Sequence, residues 1–406
     1  MKIGILTGSF LPKVGGAQVF SHNISRQLAE FGHDVDVYVP SDQFHALDPR
    51  YRSLLTPLPW RFHGAVRRLS SLGMYRAARY LQRRQRDKAY DVWLVVGTYP
   101  GGYAGTTLRD HAPIVLRASG EDIQRSPELG YGMRLNAVQA ARIKRTVTAY
   151  DKVVAMTEAS REDFRELGVA DENIATITNG VDADWFRRDQ EVSELRSDLG
   201  WPSDRPVILT TGRNHQKKGF HLIPAIAERL RARGHEFRWY VVGLGTDRID
   251  AEVRSRGLDG HVITMGQIGV SRGGDDDWRF PDRRLVRMYQ AADVYAFPTL
   301  IENFPMVQLE AMAAGAAYVS TDAPGCRELV KHNENGLQAR AGDVDSFAQE
   351  LGRALSDAQL RERLVTKAFE FVASCTWKKV ARRYEDLFQQ ARESRRPNRM
   401  PLEAEV

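Results

Sequence analysis

The chain has 406 residues, 42% hydrophobic and 27% charged, a balance that excludes large-scale disorder and leaves room for two ordinary domains. A formal charge of +6 favours an anionic partner, whether a phosphorylated substrate, a nucleic acid or a lipid surface, without choosing among them. The two cysteines, Cys326 and Cys375, are far apart and outside any CxxC pattern, which argues against a disulfide framework and a zinc site. No stretch reaches the roughly 18 apolar residues of a membrane span, and the N-terminal apolar run is too short for a signal peptide, so the expected compartment is the cytoplasm.

From the N-terminus, the apolar run Ile3–Leu6, a glycine-containing loop and a helical pattern through Ile24, Leu28 and Phe31 form strand, loop and helix, the first unit of a doubly wound α/β domain. Further strands are expected at Val35–Val39, Val92–Val96, Ile114–Leu116, Val153–Met156 and Ile174–Ile177, paired in parallel through right-handed crossovers. The polar stretch 182–204 reads as a linker. The pattern then restarts with a strand at Pro206–Thr211, a polar loop Gly212–Gly219 and a helix over Phe220–Arg233. Later strands are expected at Arg238–Val242, His261–Met265, Val294–Phe297 and Ala317–Ser320, with helices near 283–292, 306–314 and 344–355. This is an α/β chain of two Rossmann-like domains, 1–190 and 191–375, facing each other across a cleft. A C-terminal helix over 376–391 returns to the first domain, and a charged tail, 392–406, is expected to be disordered.

A ligand carrying a diphosphate needs fixed cations and backbone N–H groups where charge develops. Arg213 and Lys218 lie in a loop between a predicted strand and helix, where open α/β sheets bind such ligands. Taken alone, a basic loop is as readily a solvated one. The second such loop opens the run Glu302-Asn303-Phe304-Pro305-Met306-Val307-Gln308-Leu309-Glu310. Its two carboxylates, eight positions apart, can face one cleft mouth and accept hydrogen bonds from vicinal hydroxyls; on spacing alone, two glutamates are more often a surface pair.

The runs GRNHQKKG (Gly212–Gly219) and ENFPMVQLEAMAAG (Glu302–Gly315), in this order, resemble glycosyltransferase family 4, retaining enzymes of GT-B fold with a GR-x4-KG loop and an E-x7-E motif. Gly15-Gly16-Ala17-Gln18, Thr178-Asn179-Gly180-Val181-Asp182, Ala291-Ala292-Asp293-Val294 and Trp377-Lys378-Lys379-Val380-Ala381 agree, so the resemblance spans nearly residues 1–390. It implies a UDP-, GDP- or ADP-linked sugar donor and a glycan or glycolipid acceptor. Glu310 would hold the donor ribose and Glu302 would lie beside the donor sugar. Backbone N–H groups from Phe304 through Pro305 and Met306 to Val307, next to Asn303, would contact the sugar or diphosphate. Arg213 and Lys218 would neutralise the departing phosphates, and Gly16 would let the first loop approach them. Retention by attack on the face from which the nucleotide leaves needs no protein nucleophile, no metal and no cofactor. Asp275-Asp276-Asp277 fits a metal-binding DxD pattern but reads better as a solvated acidic loop.

One departure concerns Ser119. Members of the family often place a histidine at this point, whereas the run here is Leu116-Arg117-Ala118-Ser119-Gly120-Glu121-Asp122. Either Ser119 reshapes donor-sugar selectivity, with Arg117, Glu121 or Asp122 adding polar contacts, or turnover is weakened and the chain is a nucleotide-sugar-binding protein of a polysaccharide assembly system. An epimerase or phosphorylase of the same fold is a further alternative. A dinucleotide oxidoreductase has less support, because Thr7–Pro12 does not supply GxGxxG.

Residues 51–90 carry many arginines against the single acid Asp87, interleaved with Trp60, Tyr75, Tyr80 and Leu81. Two readings stand: a helical segment that docks peripherally on anionic lipid, or an ordinary helix with solvated arginines. No nucleic-acid recognition motif accompanies the charge.

Overall fold

The computed structural model describes residues 1–49, 51, 55–60, 71–268 and 278–395. The chain divides into two compact units, the first comprising Met1–Met156, Ser160–Ile177 and Val380–Val406, the second Thr157–Ala159 and Thr178–Lys379.

In the first unit the described strands are β1 (Lys2–Thr7), β2 (Asp34–Pro40), β3 (Thr56–Trp60), β4 (Val92–Val96), β5 (Ile114–Arg117), β6 (Lys152–Ala155) and β7 (Ile174–Thr176). They form a parallel sheet in the order β3-β2-β1-β4-β5-β6-β7. β4 and β5 are buried along their whole length, as expected of strands covered on both faces by helices. The second unit repeats the plan with β8 (Val207–Thr211), β9 (Arg238–Val242), β10 (Val262–Thr264), β11 (Val294–Ala296), β12 (Ala317–Thr321) and β13 (Leu337–Ala339), in the order β10-β9-β8-β11-β12-β13. In each sheet the chain runs outward on one side, then returns to the centre and runs outward on the other. The direction reverses between β1 and β4 and again between β8 and β11, and loops leaving the carboxyl ends of such central strands open a crevice.

Three expectations need correction. Residues 51–90 are not one helical segment: Thr56–Trp60 is a parallel edge strand on β2, where its two prolines lack N–H groups that an edge does not need, and Trp60 is fully buried. The helix of this region spans Ser71–Lys88, with Ala77 and Leu81 in the core and Leu72 and Tyr75 exposed; Arg52 and residues 61–70 lie outside the described residues. The stretch 182–204 is no open linker. It carries helices Ala183–Phe186 and Val192–Leu199, because Trp185, Phe186 and Leu195 are buried and Arg188 donates to the carbonyls of Gln290 (2.8 Å) and Gly315 (3.0 Å). The tail starts later than expected, since Arg392 pairs with Asp91 and Arg395 with Asp151, each at 2.8 Å; residues 396–406 lie outside the description, as does Asp275-Asp276-Asp277.

The last helix, Trp377–Glu393, buries Val380, Ala381, Tyr384, Leu387, Phe388 and Ala391, a stripe at helical spacing. From Val380 onward it belongs to the first unit, where Tyr384 packs on Phe20 (ring centroids 5.5 Å apart), Glu385 meets His33 (2.9 Å) and Arg382 covers the Phe31 ring. Among the described residues no helix is long and apolar enough to cross a membrane.

Candidate functional site

In the second unit, the loops leaving β8 and β11 meet because those strands are neighbours at the reversal point. The β8 loop is the GRNHQKKG run. It folds back through a short 3-10 turn over Gln216–Lys218, and the Lys217 carbonyl accepts from the Leu300 N–H (2.7 Å) and the Thr299 hydroxyl (3.0 Å) of the β11 loop. That seam delivers Lys217 and Lys218 to the start of the E-x7-E run.

There they surround Glu302, which is 5% exposed. The Lys218 ammonium is in direct contact with one carboxylate oxygen and Lys217 lies 3.6 Å from the other. Burial alone would push the Glu302 carboxyl up, but the two ammonium groups, Lys218 foremost, outweigh it and hold it below the ordinary glutamate value. Lys218 also stands over the Phe297 ring at 5.0 Å, a position in which its charge is little hydrated. Arg213, on the same loop, is exposed and has no side-chain partner among the described residues. The loop thus presents Arg213, without a side-chain partner among the described residues, and two ammonium groups that share one buried carboxylate and so keep a net positive charge.

Glu310 lies on the helix Met306–Ala313 that follows. It is half-buried, and the Tyr289 hydroxyl donates to its Oε2 at 2.8 Å. Burial pushes the Glu310 carboxyl up to about 7, against the opposite pull of Tyr289 and Lys218. No side chain caps this helix, and its first-turn amides at Met306 and Val307 belong to the set that an α-helix cannot satisfy internally. Pro305 needs correction as an N–H donor, because proline has none; its carbonyl instead accepts from the Gln308 N–H at 3.1 Å. Phe304 and Asn303 are buried, and neither polar atom of the Asn303 side chain has a hydrogen-bond partner among the described residues.

In the first unit, Gly16 is the exposed first residue of the helix Gly16–Glu30, which follows the β1 loop. Ser119 is exposed on the loop after β5. Asp122 fixes that loop, accepting from the N–H groups of Ser119 and Gly120 (both 2.9 Å) and of Thr98 (2.8 Å). Asp122 is therefore spent on the backbone. Arg117 is likewise not available to a ligand: it is 2% exposed, 4.0 Å over the Phe20 ring and bonded to Tyr384 of the last helix. Of the polar neighbours of Ser119, Glu121 alone is exposed.

Sequence reasoning passed over Lys217, Tyr289, Tyr295 and Thr211. Lys217 stood beside Lys218 in plain view. Tyr289 and Tyr295 look like ordinary core aromatics, and only their hydroxyls, which need partners when buried, could have marked them. No group of three or more His, Cys, Asp or Glu residues that could hold a metal ion occurs among the described residues.

Residues 14–185 match Glycosyltransferase Family 4 and residues 191–371 match Glycosyl transferases group 1. The chain is 26% identical over 402 residues to the D-inositol 3-phosphate glycosyltransferase of Corynebacterium urealyticum, covering 92% of this chain and 90% of that protein. Among solved structures it resembles the sucrose-phosphate synthase of Thermosynechococcus elongatus, with TM-score 0.79, 19% identity and coverage of 97% and 99%. It also resembles HepE of Anabaena in complex with UDP, with TM-score 0.77, 20% identity and coverage of 96% and 100%. The two family matches succeed one another along the chain with a sheet of the same strand plan in each, and the chain belongs to the family 4 glycosyltransferases of GT-B fold.

Proposed function

We propose that this protein is a retaining glycosyltransferase that moves a sugar from a nucleotide sugar to a hydroxyl of a glycan, lipid-linked or small-molecule acceptor, without a metal ion. The observation that carries the reading is the convergence of Lys218, Lys217 and Glu302 at the ends of β8 and β11, with Glu310 about one turn into the helix that follows and Arg213 exposed on the β8 loop. A diphosphate entering there finds fixed cations and uncapped helix amides, the two elements that stabilise charge on a departing phosphate. HepE of Anabaena, of the same fold, was solved with UDP, which supports a nucleotide sugar as donor.

In the proposed reaction the bond from the anomeric carbon to the phosphate oxygen breaks and a bond to the acceptor oxygen forms on the same face. The acceptor proton passes to the leaving phosphate. Arg213 and Lys218 hold the growing phosphate charge, Glu302 lies beside the donor sugar and Glu310 takes the ribose hydroxyls. The amides of Met306 and Val307 face the sugar or diphosphate. The curated relative named for D-inositol 3-phosphate supports an anionic small molecule within the acceptor class. Leu72 and Tyr75, 58% and 57% exposed on the helix that also carries Arg76, Arg79 and Arg83, support peripheral docking on anionic lipid, with the protein placed at the cytoplasmic face.

Thermal unfolding in the presence of UDP-, GDP- and ADP-sugars tests the donor reading, since a bound ligand raises the transition by mass action. At least one is expected to stabilise the protein, equally with and without EDTA; no shift with any of them, or a shift abolished by EDTA, contradicts the proposal. Glu310→Ala is expected to weaken binding of that nucleotide sugar by about 1.5–3 kcal/mol, roughly 10- to 100-fold in Kd by calorimetry, through loss of charge-assisted hydrogen bonds. An unchanged Kd removes the ribose assignment.

A further inference from the structure

Glu310 belongs to a chain of hydroxyl groups that no sequence motif marks. Tyr289, on the helix Arg283–Ala291, is fully buried. Its hydroxyl donates to Glu310 Oε2 (2.8 Å), so its oxygen is left to accept from the Thr211 hydroxyl at 2.5 Å. Thr211 ends β8 and is tied in turn to Tyr295 of β11, whose hydroxyl accepts from the Thr211 N–H (3.1 Å) and lies 2.9 Å from the Thr211 hydroxyl. The Tyr289 and Tyr295 rings stack, centroids 5.4 Å apart and 8° from parallel, so neither hydroxyl can turn away without breaking the stack. The Tyr295 proton is shared between the Thr211 hydroxyl and the Thr211 carbonyl (3.2 Å), the Thr211 proton goes to Tyr289, and the chain ends on the carboxyl of Glu310.

A rigid donor aimed at one carboxyl oxygen does two things. It fixes the plane of the carboxyl and leaves the other oxygen to accept from a second donor. It also favours the carboxylate, because a donor needs a lone pair and a proton on that oxygen would collide with it. Vicinal ribose hydroxyls are donors as well and ask for the same ionised form.

We propose, resting on the donor reading above, that Tyr289 is a positioning residue that holds Glu310 as an oriented carboxylate, and that nucleotide-sugar binding is therefore coupled to release of a proton from Glu310 to the solvent. Burial drives the carboxyl toward its neutral form, so that near neutrality part of the ligand-free population carries that proton. The charged and titratable groups facing Glu310 are Tyr289, Tyr295 and, from the β8 loop, Lys218. On the elements packed around it, Glu302 is engaged with Lys217 and Lys218, Arg188 with backbone carbonyls, Arg187 with Asp184, Arg283 with Asp189, Arg287 with Asp198, Lys367 with Glu370 and Arg361 with the carbonyls of Ala354 and Leu355, while Arg284, Glu362 and Arg363 are exposed.

The test uses the full chain with UDP-glucose, GDP-mannose and ADP-glucose, whose diphosphates stay fully ionised between about pH 6 and about pH 8.5, so that any proton exchanged belongs to the protein. Calorimetry of the tightest of the three, in buffers of different ionisation enthalpy, is expected to show a fraction of a proton released on binding near pH 7. The affinity should rise several-fold from about pH 6 to about pH 8 and then level off. Glu310→Gln should abolish both the release and the slope. Tyr289→Phe, which keeps the ring stack, should weaken binding roughly 5- to 10-fold at about pH 6.5 and converge to within about twofold of the wild type at about pH 8.5. A loss in Tyr289→Phe that is the same at every pH marks a merely structural tyrosine and overturns the proposal. So does binding by the wild type with no proton released, a result that needs no variant to fold. Binding of none of the three sugars to the wild type overturns the donor reading itself and this proposal with it.

Discussion

Lys218→Ala is expected to lower the turnover of sugar transfer by about 10²–10³-fold at saturating donor, the loss typical when one fixed group opposite a developing charge is removed. Two effects compete in this variant and must be separated. In the ligand-free protein Lys218 compensates the buried Glu302, and breaking a buried ion pair costs about 3–5 kcal/mol where no partner remains. Here Lys217 does remain, 3.6 Å from the second carboxylate oxygen, and both lysines keep some solvent contact. The stability loss is therefore expected at the low end, about 1–2 kcal/mol. Adding Glu302→Gln to Lys218→Ala removes the buried charge, so the double variant should regain most of the stability without regaining turnover. Thermal unfolding and initial rates on the four proteins of this cycle decide the matter. A turnover that falls only as much as the folded fraction would mean that Lys218 is a structural partner of Glu302 and nothing more.

The same pair sets an acid limit on stability. The Glu302 carboxyl is held below its unfolded value of 4.5, so its contribution is present above that pH and is lost as the pH falls through the depressed folded value.

Gly219→Ala carries the second large effect, on folding of the site loop. Gly219 sits in the left-handed region at φ +68, and a Cβ there would fall inside the van der Waals shell of the Pro298 carbonyl oxygen, which is backbone and cannot turn aside. The β8 and β11 loops would have to part at the seam that holds Lys217 and Lys218. Gly234, at φ +80 but with nothing within 4 Å of its would-be Cβ, supplies the control. Gly234→Ala should cost about 1 kcal/mol for conformation alone, and Gly219→Ala about 2–4 kcal/mol. For a unit of this size the difference is a lowering of Tm by several degrees, on the order of 3–10 °C. Equal costs at the two positions would show that the loops do not touch as described.

Much of the architecture could be read from alternation of short apolar runs with helical periodicity. Val92–Val96 has the bounds expected of it, and Ile114–Arg117 differs by one residue, because strands buried on both faces are continuous hydrophobic runs. Thr56–Trp60 was hidden by Pro57 and Pro59, which signal against a strand unless the edge position is known, and that is a property of the whole sheet. Leu337–Ala339 is only three residues long, too short for periodicity to show. The helices within 182–204 were masked by surrounding charge, since Trp185 and Leu195 find their burial against elements remote in sequence.

At the site, the GRNHQKKG and E-x7-E runs supplied the residues but not their relations. That Lys218 and Glu302 are partners follows from the adjacency of β8 and β11, and strand order is written in no local pattern. The Tyr289–Thr211–Tyr295 chain depends on where three hydroxyls point inside a core, which residue type alone does not fix. Asp122 and Arg117 illustrate the reverse case, polar side chains beside Ser119 that look available in sequence and are consumed by backbone amides and by an aromatic pocket.

Release of nucleoside diphosphate from UDP-, GDP- and ADP-sugars in the presence of EDTA tests the proposed sugar transfer, in which fixed cations hold the leaving diphosphate. Release from at least one of them is expected, unaffected by the chelator and reduced about 10²–10³-fold in Lys218→Ala. Release that requires a divalent metal, or that proceeds at the wild-type rate in Lys218→Ala, would contradict it.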